Sequence, residues 1–134
     1  MLVLDASSVL AWAYADEAGN PDAVIDYVTA NGAHVPAHWI LEVTNTLLVG
    51  ERRNRLKSGE RQQFLAGIAS LPIRVDLETS IRGWDAIPAL AELYGLTSYD
   101  AAYLELARRL DVPLATLDQA LARAARAEKV ALFE

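Results

Sequence analysis

The sequence predicts an α/β fold, specifically a three-layer α/β/α sandwich around a central parallel sheet of about five strands. Three observations lead to this prediction. Short apolar segments recur along the chain, segments with helical apolar spacing separate them, and no linker, repeat or low-complexity tract divides the 134 residues. Short buried strands that alternate with helices are typical of a parallel sheet covered on both faces. We therefore expect one domain that spans residues 1–134.

The predicted elements alternate along the chain in the manner of successive β-α units. In chain order they are a strand at residues 2–4, a helix at 8–15 that breaks at 16–20, a helix at 21–30, a strand at 33–35, helices at 38–55 and 58–70, a strand at 73–75, helices at 79–94 and 98–110, a strand at 114–116, a helix at 118–128 and a strand at 130–133. The strands are short and apolar, as expected for buried parallel strands. The helices carry apolar residues three and four positions apart.

Residues with special backbone properties set several predicted helix boundaries. Ser7 or Ser8 suits the cap of the first helix, and Ser58 suits the cap of the fourth, because a side-chain oxygen can accept from an unpaired N–H. Gly83 and Pro88 are expected to weaken or kink the long helix that contains them. The three tryptophans are expected to pack in the core or between helices.

Composition excludes several classes of protein. The 53% hydrophobic and 22% charged content is that of an ordinary globular domain. With no cysteine and two histidines, the chain offers neither thiol chemistry nor a plausible zinc site. We expect no signal peptide, no membrane span and a cytoplasmic protein. The net charge of −6 argues against broad nucleic-acid binding, less so if cations neutralise several acids.

Three carboxylates stand at equivalent places in the predicted fold. Asp5 follows the first strand, Asp118 follows the fourth, and Asp100 lies in the first turn of the helix at 98–110. Ligands of open α/β sheets bind in the crevice beyond the carboxyl ends of the strands, so these acids are expected to meet there. Structural roles stay open, because Asp118 also suits an N-cap and Asp100 also suits the positive end of a helix dipole.

Glu42 and Asn45 lie one turn apart on the same side of another predicted helix. An isolated glutamate there would be read as a solvated helix edge. Four acids at one sheet edge, however, would repel each other strongly without a cation. Mg²⁺ and Mn²⁺ prefer oxygen ligands, and such ions can activate water and stabilise the leaving oxygen of a phosphodiester.

Four segments resemble the successive motifs of a PIN domain. They are VLDASSVLA at residues 3–11, LEVTN at 41–45, GLTSYDAAY at 95–103 and LATLD at 114–118. One such motif would be weak, but four in the right order and at compatible spacings are specific. The resemblance covers essentially the whole chain. In its length the chain is most similar to the VapC-type toxins of type II toxin–antitoxin pairs.

This resemblance implies a Mg²⁺- or Mn²⁺-dependent endoribonuclease that acts on structured RNA such as tRNA or rRNA. It also implies a homodimer that a cognate VapB-type antitoxin holds inactive. Carried over by motif, Asp5, Asp100 and Asp118 would hold the metal directly or through water. Glu42 would complete the acidic centre and position or activate the attacking water.

Ser7, Asn45 and Thr116 would be supporting polar groups near that centre. The chain departs from some relatives at Gln119 and Leu121, which supply no further acid after Asp118 and put a second tightly held metal in doubt.

Arg52, Arg53 and Arg55 belong to the one dense basic cluster, which is either a solvated helix end or a rim that contacts RNA phosphates. Two other functions stay open. One is a PIN-like binding module without catalysis, and the other is a phosphoryl-transfer enzyme with Asp5 as nucleophile. The dehalogenase-type signature needs a second Asp two residues later, where this chain has Ser7.

Overall fold

The computed structural model describes residues 1–14 and 21–134. Its elements are β1 (Leu2–Leu4), α1 (Ala6–Leu10), α2 (Pro21–Asn31), β2 (Ala33–Val35), α3 (Trp39–Arg52), α4 (Glu60–Ala69), β3 (Ile73–Val75), α5 (Thr79–Arg82), α6 (Ala86–Tyr94), α7 (Ser98–Leu110), β4 (Leu114–Ala115) and α8 (Gln119–Ala127). The predicted α/β class is confirmed. The expected break at 16–20 lies outside the described residues. None of the described helices is long and apolar enough to cross a membrane.

In the described part of the chain the sheet has four parallel strands, in the order β3-β2-β1-β4. β1 lies inside the sheet, since Val3 pairs with His34 of β2 on one side and with Leu114 of β4 on the other. The prediction of a fifth strand at residues 130–133 is wrong, because only Leu132 bridges to Leu114. β4 spans two residues and leaves little backbone for a further strand to pair with.

Several predicted helix boundaries are also wrong. The helix predicted at 8–15 is α1, which ends at Leu10. Two others differ for local backbone reasons. Residues 79–94 form α5 and α6 instead of one kinked helix. Asp85 caps α6 by accepting a hydrogen bond from the Ala86 N–H. Pro88 lies in the first turn of α6, where a backbone N–H has no acceptor within the helix, so proline removes no hydrogen bond there. The cap position of α4 belongs to Gly59, whose φ of 94° favours glycine, and not to Ser58.

The edge position of β3 exposes side chains that the sequence predicts to be buried. Val75 is 52% exposed, because β3 has a neighbouring strand on one side only. Trp84, between α5 and α6, is 88% exposed and so contradicts the prediction that all three tryptophans pack inside. Trp39 is buried as predicted, and Trp12 is half-buried.

An ionic network ties the end of β3 to α7. The Arg109 guanidinium contacts Asp76 at 2.7 Å, Glu78 at 2.7 Å and Glu105 at 2.8 Å. Glu105 is only 5% exposed, and its carboxylate has Arg82 at 3.9 Å as a second cationic partner. Burial favours a higher pKa for Asp76, but the hydrogen bonds that Asp76 accepts from Arg109 and Thr79 hold its pKa below the usual value.

The hydrophobic core lies between the sheet and the helices. It holds β1 and α7 in place and so positions the residues that follow the strands. β1 is completely buried, and α7 places Tyr103 and Leu104 in the core with no exposed surface. Each such large apolar side chain contributes roughly 1.5–3 kcal/mol relative to an exposed one. The chain leaves β1 and β4 at the same edge, because the two strands are parallel neighbours.

Candidate functional site

Asp5 lies directly after β1 and is only 4% exposed. Its backbone N–H donates to the Ala115 carbonyl of β4 at 3.0 Å, which holds it against the neighbouring strand. Its Oδ2 accepts from the Ser7 hydroxyl at 2.7 Å and from the Thr116 hydroxyl at 2.6 Å. Two donors on one oxygen fix the orientation of the carboxyl group.

The same two hydroxyls lock together the segments that follow β1 and β4. Ser7 Oγ accepts from the Leu117 N–H at 2.9 Å, and Thr116 Oγ1 accepts from the Asp118 N–H at 3.0 Å. Each hydroxyl therefore donates to Asp5 and accepts from the backbone after β4. The prediction that Ser7 or Ser8 caps the first helix is wrong, since Asp5 occupies the cap position of α1.

Asp118 is the N-cap of α8, and its Oδ1 accepts from the Leu121 N–H at 2.8 Å. The structural role that the sequence left open for this residue is therefore present. Asp100 does not cap α7. The cap is Thr97, whose hydroxyl accepts from the Asp100 N–H at 3.1 Å, so the Asp100 carboxylate is not used for capping.

Glu42 lies in the first turn of α3 and is held by two side chains. Its Oε1 accepts from the Tyr103 hydroxyl at 2.9 Å and lies 2.8 Å from His38 Nε2. The sequence predicts no role beside Glu42 for His38, and for Tyr103 it predicts packing or a dimer contact. The spacing of four residues between His38 and Glu42 could have indicated a contact on one helix, whereas Tyr103 lies 61 residues away and carried no local signal.

The pKa values of Asp5 and Asp100 are raised by burial and by neighbouring acids. Burial raises the pKa of Asp5 to about 6, the two hydroxyl bonds oppose this, and the charges of Asp100 and Glu42 add to it. The pKa of Asp100 is raised by burial first and then by Asp118 and Glu42. The acids that the sequence predicted to meet therefore share one electrostatic environment.

The arrangement is not a ready-made metal cage. No three Asp, Glu or His side chains within residues 1–14 and 21–134 are grouped closely enough to hold an ion as they stand. The donor chemistry nevertheless fits a hard divalent cation, because Asp5 is a buried carboxyl whose pKa is raised by burial and then by the charges of Asp100 and Glu42. A cation there would offset that repulsion.

Glu42 and Asp100 line one cleft, and Asp118 lines another. The larger, about 660 Å³, is lined by His38, Leu41, Glu42, Thr44, Asn45, Leu48, Thr97, Tyr99 and Asp100. The smaller, about 300 Å³, is lined by Ser7, Leu10, Tyr14, Thr46, Arg55, Leu117 and Asp118. Asn45 thus lies beside Glu42 in the larger cleft, as predicted from their spacing on α3.

The three arginines of the basic cluster occupy different places. Arg55 lines the smaller cleft, and its guanidinium carbon lies 4.0 Å from the centre of the Tyr14 ring. Arg52 and Arg53 are exposed at the end of α3 and line neither of these two clefts. A role in contacting substrate is therefore better supported for Arg55 than for the other two.

Comparisons with known proteins agree with the motifs. A sequence model of the PIN domain matches residues 2–127. Ribonuclease VapC12 of Mycobacterium tuberculosis is 32% identical over 127 residues, which cover 92% of this chain and 91% of that protein. Ribonuclease VapC3 of Pyrobaculum aerophilum is 31% identical over 121 residues, which cover 90% of this chain and 92% of that protein.

Two solved structures share the fold. PAE2754 from Pyrobaculum aerophilum superimposes with a TM-score of 0.66 at 21% identity, covering 92% of this chain and 83% of that chain. FitAcB from Neisseria gonorrhoeae superimposes with a TM-score of 0.63 at 18% identity, covering 100% of this chain and 97% of that chain. At these identities the likeness concerns the fold alone.

Proposed function

The chain belongs to the PIN-domain family and is of the VapC type, and we propose that it is a Mg²⁺- or Mn²⁺-dependent endoribonuclease that cleaves structured RNA such as tRNA or rRNA. The names of the two VapC relatives support ribonuclease activity. The observation that carries the proposal is the buried Asp5 carboxyl, whose pKa is raised to about 6 beside Asp100 and Glu42. Buried acids with perturbed pKa values cluster at functional sites, and a cation would relieve the repulsion among the negative charges here.

Asp5, Asp100 and Asp118 would hold the ion directly or through water. When bound, a divalent ion lowers the pKa of water and stabilises the leaving oxygen of a phosphodiester. Ser7 and Thr116 orient the Asp5 carboxylate through their 2.7 and 2.6 Å hydrogen bonds. Glu42 would position the attacking water and accept its proton.

The smaller cleft would guide the RNA backbone. Arg55 stacks on Tyr14 in this cleft beside Asp118, so its charge lies next to the acids. A guanidinium at that place can contact a phosphate that flanks the scissile one. Arg52 and Arg53, at the end of α3, would add to the positive rim around the site without lining it.

We also propose that the protein is the cytoplasmic toxin of a pair, inhibited by a VapB-type antitoxin, and that it forms a homodimer. Leu41 and Tyr99 are 68% and 66% exposed in the larger cleft, which gives an antitoxin segment apolar surface to cover beside the acids. Leu77 and Ile81, near the edge strand β3, are 89% and 66% exposed and would be covered in a dimer.

The alternative in which Asp5 is a nucleophile is less well supported by the geometry. A nucleophilic carboxylate must reach the phosphorus, whereas Asp5 is 4% exposed and one of its oxygens already accepts two hydrogen bonds. A binding module without catalysis retains no specific observation in its favour, because Asp5, Glu42, Asp100 and Asp118 are all present.

The test is cleavage of tRNA by the purified chain, freed of any bound antitoxin, with Mg²⁺, with Mn²⁺ and with EDTA. Cleavage should require the ion and should fall by orders of magnitude in Asp5→Asn, since that change removes a charged ligand while keeping the shape. Cleavage that survives both EDTA and Asp5→Asn would rule out the proposed centre. No cleavage under any condition would favour the binding module.

A further inference from the structure

We propose that His38 and Tyr103 are positioning residues that clamp one oxygen of the Glu42 carboxylate and so hold its other oxygen ready for the reaction. The clamp consists of two contacts on Oε1, from the Tyr103 hydroxyl at 2.9 Å and from His38 Nε2 at 2.8 Å. None of the residues that the structure describes donates to Oε2. The inference rests on the proposed function, in which Glu42 handles the attacking water.

The two clamping side chains are fixed by different means. Tyr103 has no exposed surface and sits in the core side of α7, so its hydroxyl is delivered to Glu42 from a rigid position. The His38 ring packs edge-on against Tyr103, with ring centres 5.3 Å apart, and tilts against Tyr99 at 5.6 Å. His38 is 20% exposed and closes the clamp on the cleft side.

The partners of each group define the direction of every hydrogen bond. His38 Nε2 faces the Glu42 carboxylate and, at 3.0 Å, the Tyr99 carbonyl, both of which only accept. Nε2 must therefore carry the hydrogen. Burial and the negative charges of Asp5 and Glu42 raise the pKa of Tyr103, so its hydroxyl stays protonated and donates.

The clamp opposes the tendency of Glu42 to leave the site. The carboxylate is one-third exposed, and it lies near the charges of Asp5 and Asp100. Repulsion from those charges favours a rotamer that points into the 660 Å³ cleft and toward solvent. Two donors on Oε1 instead hold the group beside the other acids, and a rigidly held base reacts faster than a mobile one.

The experiment measures kcat and KM for tRNA cleavage with Mn²⁺ in variants of the clamp. Tyr103→Phe and His38→Leu should each lower kcat roughly 10- to 100-fold, as is usual for residues that orient a reacting group, and should leave KM within about twofold. His38→Gln should recover most of the rate, because its amide can donate to Glu42. A merely structural role for His38 would not distinguish Gln from Leu in this way.

A matched control uses the other tyrosine–glutamate pair of the described residues. The Tyr94 hydroxyl donates to Glu128 Oε1 at 2.7 Å, away from both clefts, so Tyr94→Phe removes the same type of bond. This variant should keep the wild-type kcat. A loss in Tyr94→Phe equal to that in Tyr103→Phe would show a general effect of losing a tyrosine–glutamate hydrogen bond and would overturn the proposal.

A second measurement does not depend on activity. Unfolding in EDTA of Tyr103→Phe, Glu42→Ala and the double variant should be non-additive, since each single change breaks the same contact. Additive effects, or a wild-type kcat in both Tyr103→Phe and His38→Leu, would overturn the clamp. Absence of tRNA cleavage by the wild type would instead count against the proposed function, and the unfolding cycle would still decide whether the contact exists.

Discussion

Replacing Asp5 by asparagine tests whether the buried carboxylate stores electrostatic free energy. The pKa of Asp5 is raised from 3.8 to about 6. At ~1.4 kcal/mol per pKa unit, this shift lowers the free energy of unfolding at neutral pH by about 3 kcal/mol, relative to a carboxyl group with an unshifted pKa. Asparagine keeps an oxygen that can accept from Ser7 and Thr116, although bonds to a neutral oxygen are weaker than bonds to a charged one. We expect metal-free Asp5→Asn to be more stable than the wild type by about 1 kcal/mol at pH 7.

The sign of the pH dependence follows from the raised value. Between the ordinary pKa and about 6 the folded state binds more protons at Asp5 than the unfolded state does, so wild-type stability falls as pH rises through this range. The variant lacks this loss. Its advantage of about 1 kcal/mol at pH 7 should therefore shrink as pH falls and reverse before pH ~4, where the wild type has regained about 3 kcal/mol.

The assay is urea unfolding of both proteins in EDTA across this pH range, repeated with Mn²⁺. At a metal concentration 100 times its dissociation constant the wild type should gain roughly 2.7 kcal/mol, and Asp5→Asn much less. Asp26→Asn, an exposed change on α2, is the control and should match the wild type in every condition. If metal-free Asp5→Asn is far less stable than the wild type at neutral pH, Asp5 serves structure and the stored-charge argument is wrong.

Contacts in the structure predict the effects of three further substitutions. Gly50→Ala should cost about 1–3 kcal/mol in urea unfolding, because a Cβ there would overlap the Tyr14 hydroxyl. Arg55→Ala should raise KM for tRNA and lower the salt dependence of binding more than Arg52→Ala does, because only Arg55 lines a cleft beside the acids. Arg109→Met should cost about 3–5 kcal/mol in urea unfolding, because it leaves buried carboxylates without their cation.

Each of these has its own control or contrary result. Gly67→Ala places a methyl in open space on α4 and should stabilise by up to ~1 kcal/mol, so equal losses at both glycines would refute the overlap with Tyr14. Equal effects of Arg52→Ala and Arg55→Ala on KM would mean that the basic cluster attracts RNA through its total charge and not through a specific contact of Arg55. Adding Glu105→Gln to Arg109→Met should recover part of the lost stability, and no recovery would show that Glu105 is not the unpaired charge.

Apolar patterns within short segments predicted several elements correctly, whereas the helix caps predicted at Ser7 or Ser8 and at Ser58 are wrong. The segments that became β1, β2 and β3 were predicted with the boundaries they have, and so was α7. The four motifs indicated the PIN family, which the family match confirms. The functional roles of Asp5, Glu42, Asp100 and Asp118 stay a prediction. The structure shows that Asp100 and Glu42 raise the pKa of Asp5 and that Asp118 and Glu42 raise the pKa of Asp100, in each case after burial.

Features that depend on spatial neighbours were not available from the sequence. Nothing in the residues of β3 indicates that it is an edge strand, so the exposure of Val75 became evident only with the strand order. The exposure of Trp84, between α5 and α6, likewise became evident only with the structure. The fifth strand was over-predicted because an apolar segment indicates a strand without showing whether the adjacent strand, β4, is long enough to pair with it.

The site also combines features that the sequence determines with contacts that only the tertiary structure decides. The sequence determined which residue types were available and where each stands relative to its own strand or helix, because periodicity and capping are local properties of the backbone. The tertiary structure decided that Thr116 donates to Asp5 across 111 positions and that Tyr103 donates to Glu42 across 61. A hydrogen bond requires its two atoms to come within about 3 Å, and only the packing of distant segments brings them there.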